Sequence, residues 1–174
     1  AVECTSCDAG RMSSNLSTSC SPCPAGKCSN TRASVCSSCP AGYFAPRKNS
    51  STCLKCSSER GTEYDSPVGS SECSSCIAGW YSFRTEDSDV TCAECPDGAE
   101  CDAGSTLAGL VVKEGMWRAT ASSSEVVDCP YVGNCPDRSN ATGDDTCATG
   151  AGGPVCAVCD SGWFQGAEKC VECA

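Results

Sequence analysis

Histidine is absent from the 174 residues. That removes the commonest general base and most of the dyads that activate a nucleophile. Leucine, isoleucine, valine and phenylalanine are scarce, at 4, 1, 12 and 3 residues, about 11% of the chain. A chain below roughly 20% in these residues does not offset its conformational entropy by burial alone. No apolar stretch approaches the roughly 18 residues of a membrane-spanning helix, so no membrane span is expected. Helical periodicity is absent. A phosphate-cradling glycine loop is also missing, since Gly150-Ala151-Gly152-Gly153 reads as a turn between two cysteines. No signal-peptide pattern opens the chain, and Ala1 is expected to be a mature end or a cut. These absences argue against an enzyme.

Cysteine is what the chain has instead. Its 21 residues are about 12% of the sequence, above the roughly 8–10% that marks a disulfide scaffold. Cross-links are expected to replace the missing core. Each bridge closing a loop of about 15 residues contributes roughly 3 kcal/mol, chiefly by restricting the unfolded chain. So many thiols persist as structural disulfides only outside the reducing cytosol, so an extracellular or cell-surface location is expected. Three sequons agree with a secretory route and predict N-linked glycans at Asn15, Asn49 and Asn140. Charge is uneven. Residues 1–60 carry seven basic and three acidic side chains, and residues 61–174 carry five and nineteen. Nucleic acid is not an expected partner for so acidic a chain. The charge reads either as solvated surface or as the polarity of a rod that packs head to tail.

Cys-x-x-Cys recurs eight times, at 4/7, 20/23, 36/39, 53/56, 73/76, 92/95, 156/159 and 170/173. The first six follow at steps of 16, 16, 17, 20 and 19 residues. Such a period marks a repeat architecture. Glycine lies three positions after the second cysteine at Gly10, Gly26, Gly42, Gly79, Gly98 and Gly162, with proline two before it at Pro24, Pro40 and Pro96. This is turn chemistry. Tyr43-Phe44, Trp80-Tyr81 and Trp163-Phe164 follow, and are expected to start short strands and cover disulfides. Each module is read as a loop and one small hairpin with one or two bridges. After Cys56 the glycine comes late, at Gly61, so a looser module with Tyr64 as its apolar cover is expected there.

Cys39-Pro40-Ala41-Gly42-Tyr43-Phe44 followed by Cys53-Leu54-Lys55-Cys56 resembles the ephrin-receptor-like cysteine-rich repeats, relatives of TNF-receptor and EGF-like modules. The resemblance covers roughly residues 4–95 and implies pairing of each second cysteine with the next first one. The implied bridges are Cys7–Cys20, Cys23–Cys36, Cys39–Cys53, Cys56–Cys73 and Cys76–Cys92. The expected fold is small, disulfide-rich and mostly irregular with short β-hairpins, an elongated rod of tandem EGF/TNF-receptor-like modules. Residues 1–95 form the tandem repeats, and residues 96–174 a larger EGF-like module with the start of another.

The pattern changes after Cys95. Residues 102–128 hold no cysteine but contain Leu107, Leu110, Val111, Val112, Met116 and Trp117. Residues 109–120 are read as a hairpin with Trp117 packed on a disulfide. From Cys147 through Cys156-Ala157-Val158-Cys159 to Gly162-Trp163-Phe164 and Cys170 the chain resembles the second half of a laminin-type EGF-like module. That resemblance implies Cys95–Cys129, Cys101–Cys135, Cys147–Cys156 and Cys159–Cys170. The run from Cys95, with Gly115-Met116-Trp117-Arg118, also resembles cysteine-rich ectodomains of large protist and algal surface proteins.

Cys4, Cys28 and Cys173 stay unassigned. The ladder would pair Cys4 with a cysteine before residue 1, and Cys173 would open a module beyond residue 174. Cys28 stands where Met12, Phe44, Tyr81 and Phe164 stand in other modules. It reads as a small buried hydrophobe with a free thiol, as a partner within the chain such as Cys4, or as a bridge to another chain.

No catalytic residue and no cofactor is assigned. Zinc would need each internal Cys-x-x-Cys to serve two sites, and a redox Cys-x-x-Cys needs a thioredoxin-like context. Glu86, Asp87 and Asp89 loosely resemble the acidic entrance of calcium-binding EGF modules, against a reading as solvated charge. Two functional classes remain. One is a structural spacer or lattice element of a surface, matrix or filament glycoprotein, such as a ciliary hair, whose partners are other chains or copies of itself. The other is the ligand-binding stalk of a signalling receptor, although fold class does not carry function.

Overall fold

The computed structural model of the chain describes residues 6–13, 19–137 and 140–174. Among them the regular structure is nine two-stranded sheets, one helical turn at Cys56–Glu59 and three 3-10 turns. Nine disulfides cross-link it. The chain divides into two compact units. One is Ala1–Ile77 with Ser88–Cys92, and the other is Ala78–Asp87 with Ala93–Ala174.

Short strands form here because each hairpin is closed at both ends by local chemistry. In the first unit a four-residue turn opens the module, its last N–H returning to its first carbonyl. Lys27 donates to Pro24 and Tyr43 to Pro40, at 3.2 and 3.1 Å. The third turn residue is a glycine at positive φ, 83° at Gly26 and 79° at Gly42, a conformation that L side chains disfavour. Two residues then pair antiparallel with the two before the next second cysteine. The pairs are Lys27–Cys28 with Ser37–Ser38 and Tyr43–Phe44 with Leu54–Lys55. That cysteine's N–H closes the hairpin on the turn glycine's carbonyl. Cys23 donates to Gly10, Cys39 to Gly26 and Cys56 to Gly42, at 2.9–3.0 Å.

Modules in this unit also bond to one another. Gly10, Gly26 and Gly42 donate N–H bonds to Ser29, Ala45 and Ser66 in the module ahead, at 2.8–2.9 Å. The carbonyls of Cys7, Cys23 and Cys39 accept from Arg32, Asn49 and Gly69, all three at left-handed corners with φ of 62°, 64° and 78°. A Cβ at Gly10 would run into the Asn49 carbonyl, and one at Gly26 into the Gly69 carbonyl. Glycine is thus required at these turns twice over, by φ and by the close approach of a module further along. The cysteines Cys7, Cys23, Cys39, Cys56, Cys73 and Cys76 supply most of the buried side chains.

The late glycine after Cys56 is absorbed by the helical turn Cys56–Glu59. Helix was not expected anywhere; one turn is the shortest way to take up the two extra residues. The hairpin then resumes with Tyr64–Asp65 against Ser75–Cys76, and the Glu63 carbonyl replaces the turn glycine's as acceptor for Ile77.

The second unit repeats the plan with different closures. Ala99–Glu100 pairs with Val111–Val112, and Met116–Trp117 with Val127–Asp128. The expected hairpin over residues 109–120 is therefore corrected: the turn at Lys113–Met116 ends one hairpin and opens the next. Lys113 donates to Gly98 and Cys129 to Gly115, as the second cysteines do elsewhere. In this register Leu110 and Val126 occupy the place of the clasp cysteine Cys53, and Val112 the place of Cys39. Leu110 is fully buried and Val112 nearly so.

Candidate functional site

The bridges in the first unit are Cys7–Cys20, Cys23–Cys36, Cys39–Cys53, Cys56–Cys73 and Cys76–Cys92. In the second unit Cys147 joins Cys156 and Cys159 joins Cys170. Two implied pairs are corrected. Cys95 is joined to Cys101, and Cys129 to Cys135. The reason lies in the register. Leu110 fills the position from which a cysteine would reach Cys95, so Cys95 turns to Cys101 at a separation of 6 residues. One hairpin later both clasp positions, Val112 and Val126, are apolar, and Cys129 is joined to Cys135, also at a separation of 6 residues.

Around the second-unit bridges the core is sulfur and indole. Cys129, Cys135, Cys147, Cys156 and Cys170 are buried together, with Trp117 and Trp163 packed on them. Trp163 covers sulfur together with Trp117, while its neighbour Phe164 stays 54% exposed. The Trp163 ring lies over Gly150, where a Cβ would strike it. Asn134 is fully buried at the centre. Its Oδ1 accepts from the Cys170 N–H at 2.7 Å, and its Nδ2 donates to the Cys156 carbonyl at 2.9 Å. It pins two bridges of different loops. Nothing in the spacing of cysteines pointed to it.

Arg118 is buried as well. Its Nε donates to the Thr120 carbonyl and Nη2 to the Leu107 carbonyl, at 2.9 and 2.7 Å. Nη1 has no partner among the described residues, and burial pushes the guanidinium below its ordinary pKa. A buried cation holding two carbonyls gathers the cysteine-free stretch from both sides. The Trp117 indole, donating to the Gly143 carbonyl at 3.0 Å, fastens its far end.

The first unit carries the groups with exposed chemistry. Asp89 meets Arg60 at 3.0 Å, and Arg60 also donates to the Val90 carbonyl and lies 4.9 Å from the Tyr64 ring centre. Hydrogen bonding to Asp89, then to Tyr64, raises the Arg60 pKa. Phe44, Pro46, Glu72 and Val90 line a groove of about 280 Å³ with this pair. Glu86, Asp87 and Asp89 are each exposed. Asn49 and Asn140 are both exposed, at left-handed corners of φ 64°. Asn15 and Cys4 lie outside the described residues.

Cys28 and Cys173 are free thiols, the first half-buried and the second exposed. Cys28 is not bridged. Its Sγ lies 3.0 Å from Sγ of Cys53, and the sulfurs of Cys28, Cys39 and Cys53 all fall within 4.8 Å of one another. Cys28 pairs with Ser37 across its own hairpin, and its sulfur lies against the bridge of the following module.

Residues 26–66 match a family model described as tyrosine-protein kinase ephrin type A/B receptor-like. That span holds two of the hairpins and the Cys39–Cys53 bridge. No curated protein matches the chain. The disulfides and the matched family are those of an extracellular, receptor-like or structural ectodomain. No helix among the described residues is long and apolar enough to cross a membrane.

Proposed function

We propose that the chain is a non-catalytic structural segment, a spacer or lattice element, of a larger cell-surface, matrix or filament glycoprotein. The observation that carries this reading is the hydrogen-bond relay between modules of the first unit. Gly10, Gly26 and Gly42 each bond to the module ahead, and Arg32, Asn49 and Gly69 bond back to Cys7, Cys23 and Cys39. A relay of this kind resists bending of one module against the next, which a spacer needs. Cohesion comes from nearest neighbours, as in other repeat proteins. The working partners are other protein chains, copies of this one included, and glycans at Asn49 and Asn140. The bridges Cys147–Cys156 and Cys159–Cys170 support a likeness of the C-terminal region to laminin-type EGF modules.

Light scattering on the oxidised full chain during size exclusion tests the reading. Self-association at high concentration and low salt, weakening as salt rises, is expected. A strictly monomeric species throughout would overturn the lattice form.

The match over residues 26–66 favours a second reading, the ligand-binding stalk of a receptor. It requires a discrete binding patch on one module, and the groove beside Arg60 and Asp89 is where to look. Loss of ligand binding on Arg60→Ala, with self-association unchanged, would favour the stalk.

A further inference from the structure

We infer that Cys28 and the Cys39–Cys53 bridge form a thiol–disulfide exchange site that moves the free thiol between two places of different accessibility. The geometry is that of a nucleophile beside its target. The Cys28 sulfur is 3.0 Å from the Cys53 sulfur, which is inside ordinary non-bonded contact and on a different module. The site is a thiol and a disulfide together, three sulfurs within 4.8 Å.

The step balances without any added oxidant or reductant. Cys28 loses its proton to solvent, and the thiolate attacks Sγ of Cys53. A Cys28–Cys53 bond forms, the Cys53–Cys39 bond breaks, and Cys39 leaves as a thiolate that takes up a proton. One disulfide and one thiol exist before and after.

The two isomers differ in what they show to solvent. In the first, the thiol is the half-buried Cys28. In the second, it is Cys39, whose relative exposure is 0%. A thiol buried in apolar surroundings is inert and packs as a small hydrophobe. Exchange therefore withdraws the reactive thiol into the module. It also trades a bridge inside one hairpin for one between Cys28 and Cys53, across two modules. The turn hydrogen bonds of both hairpins, Cys39 to Gly26 and Cys56 to Gly42, are backbone bonds and survive the trade. The first isomer leaves Cys28 open to exchange with a disulfide of a partner chain, forming a mixed disulfide and releasing one partner sulfur as a thiol, and the second closes that route.

The test is peptide mapping of the oxidised full chain without reduction. Samples held at neutral pH for minutes to days are unfolded in acidic guanidinium, which halts exchange, and capped there with a maleimide. Two populations are expected: capped Cys28 with a Cys39–Cys53 peptide pair, and capped Cys39 with a Cys28–Cys53 pair. Cys39 capping should exceed that of a Cys28→Ser control by about tenfold or more, because a thiolate held beside the bridge opens it far faster than the exposed Cys173 of another molecule can. Capping confined to Cys28 at every time would overturn the inference. So would equal Cys39 capping in the Cys28→Ser chain, which would trace that thiol to incomplete oxidation. A Cys39→Ser chain gives an independent reading. It should carry a Cys28–Cys53 bridge, and two capped thiols at these positions would again overturn the proposal.

Discussion

The hairpin at residues 43–55 and the hairpin at residues 116–128 have the same backbone and different closures. Each begins on a four-residue turn with a left-handed glycine, pairs two residues with two, and ends on an N–H returned to the turn glycine. In the first the clasp is Cys39–Cys53. In the second Val112 and Val126 stand at those positions. The comparison separates what defines the module from what stabilises it. Turn and backbone bonds define it. The clasp need only hold two side chains together, and either a bridge or an apolar pair does that. The difference is local to the clasp but has a distant effect, because a cysteine whose partner position is apolar must find another partner. Cys95, whose partner position holds Leu110, finds one 6 residues away at Cys101.

Removing a clasp of each kind is the strongest way to break the equivalence. Replacing Cys56 and Cys73 by serine should destabilise their hairpin by about 4 kcal/mol, within the range for loss of a native bridge. Amide hydrogen exchange along residues 61–77 would report it. Leu110→Ala empties a fully buried apolar position and should cost about 3 kcal/mol. Loss of amide protection confined to residues 96–113 is the expected signature. Asn134→Ala leaves the Cys170 N–H and the Cys156 carbonyl without partners in a buried site, which should cost about 2 kcal/mol. Denaturant titration followed by Trp117 and Trp163 fluorescence would measure it.

Conversion sharpens the comparison. A Val112→Cys, Val126→Cys chain should form the missing clasp, seen as two hydrogens lost by mass, and gain about 2 kcal/mol from the closed loop. Failure to bridge under oxidising conditions would mean that these positions are not equivalent to Cys39 and Cys53. The smallest effect is expected at Arg60→Ala. A partly exposed ion pair contributes about 0.5 kcal/mol, so unfolding should shift barely at all.

The ladder region was legible because its signals are short-range. Cys-x-x-Cys spacing, Pro-x-Gly turns and the Tyr43-Phe44 pair all act within about 17 residues, and the hairpins sit where these predict. The cysteine-free stretch hides its turns because the cysteine spacing gives no guide there. Gly98 and Gly115 carry the same turn signal, but no cysteine flanks Gly115, so the pattern over residues 109–120 reads as one hairpin while the chain makes the end of one and the start of the next. Asn134 and Arg118 were illegible for another reason. A lone polar residue in a polar chain gives no sign of burial, and their roles depend on carbonyls and N–H groups 2 to 36 residues away.

By itself the sequence determined the class of molecule. A chain with about 12% cysteine and few aliphatic residues holds its fold by cross-links, which persist in oxidising compartments. It determined the turns as well, since a glycine's left-handed φ is a local property. Tertiary structure decided which sulfurs meet. A bridge forms between cysteines brought within reach by strand register and by the packing of one module on the next, and sequence distance does not encode either. That is why Cys95 closes on Cys101, and why Cys28, a lone thiol in the sequence, stands against the Cys39–Cys53 bridge.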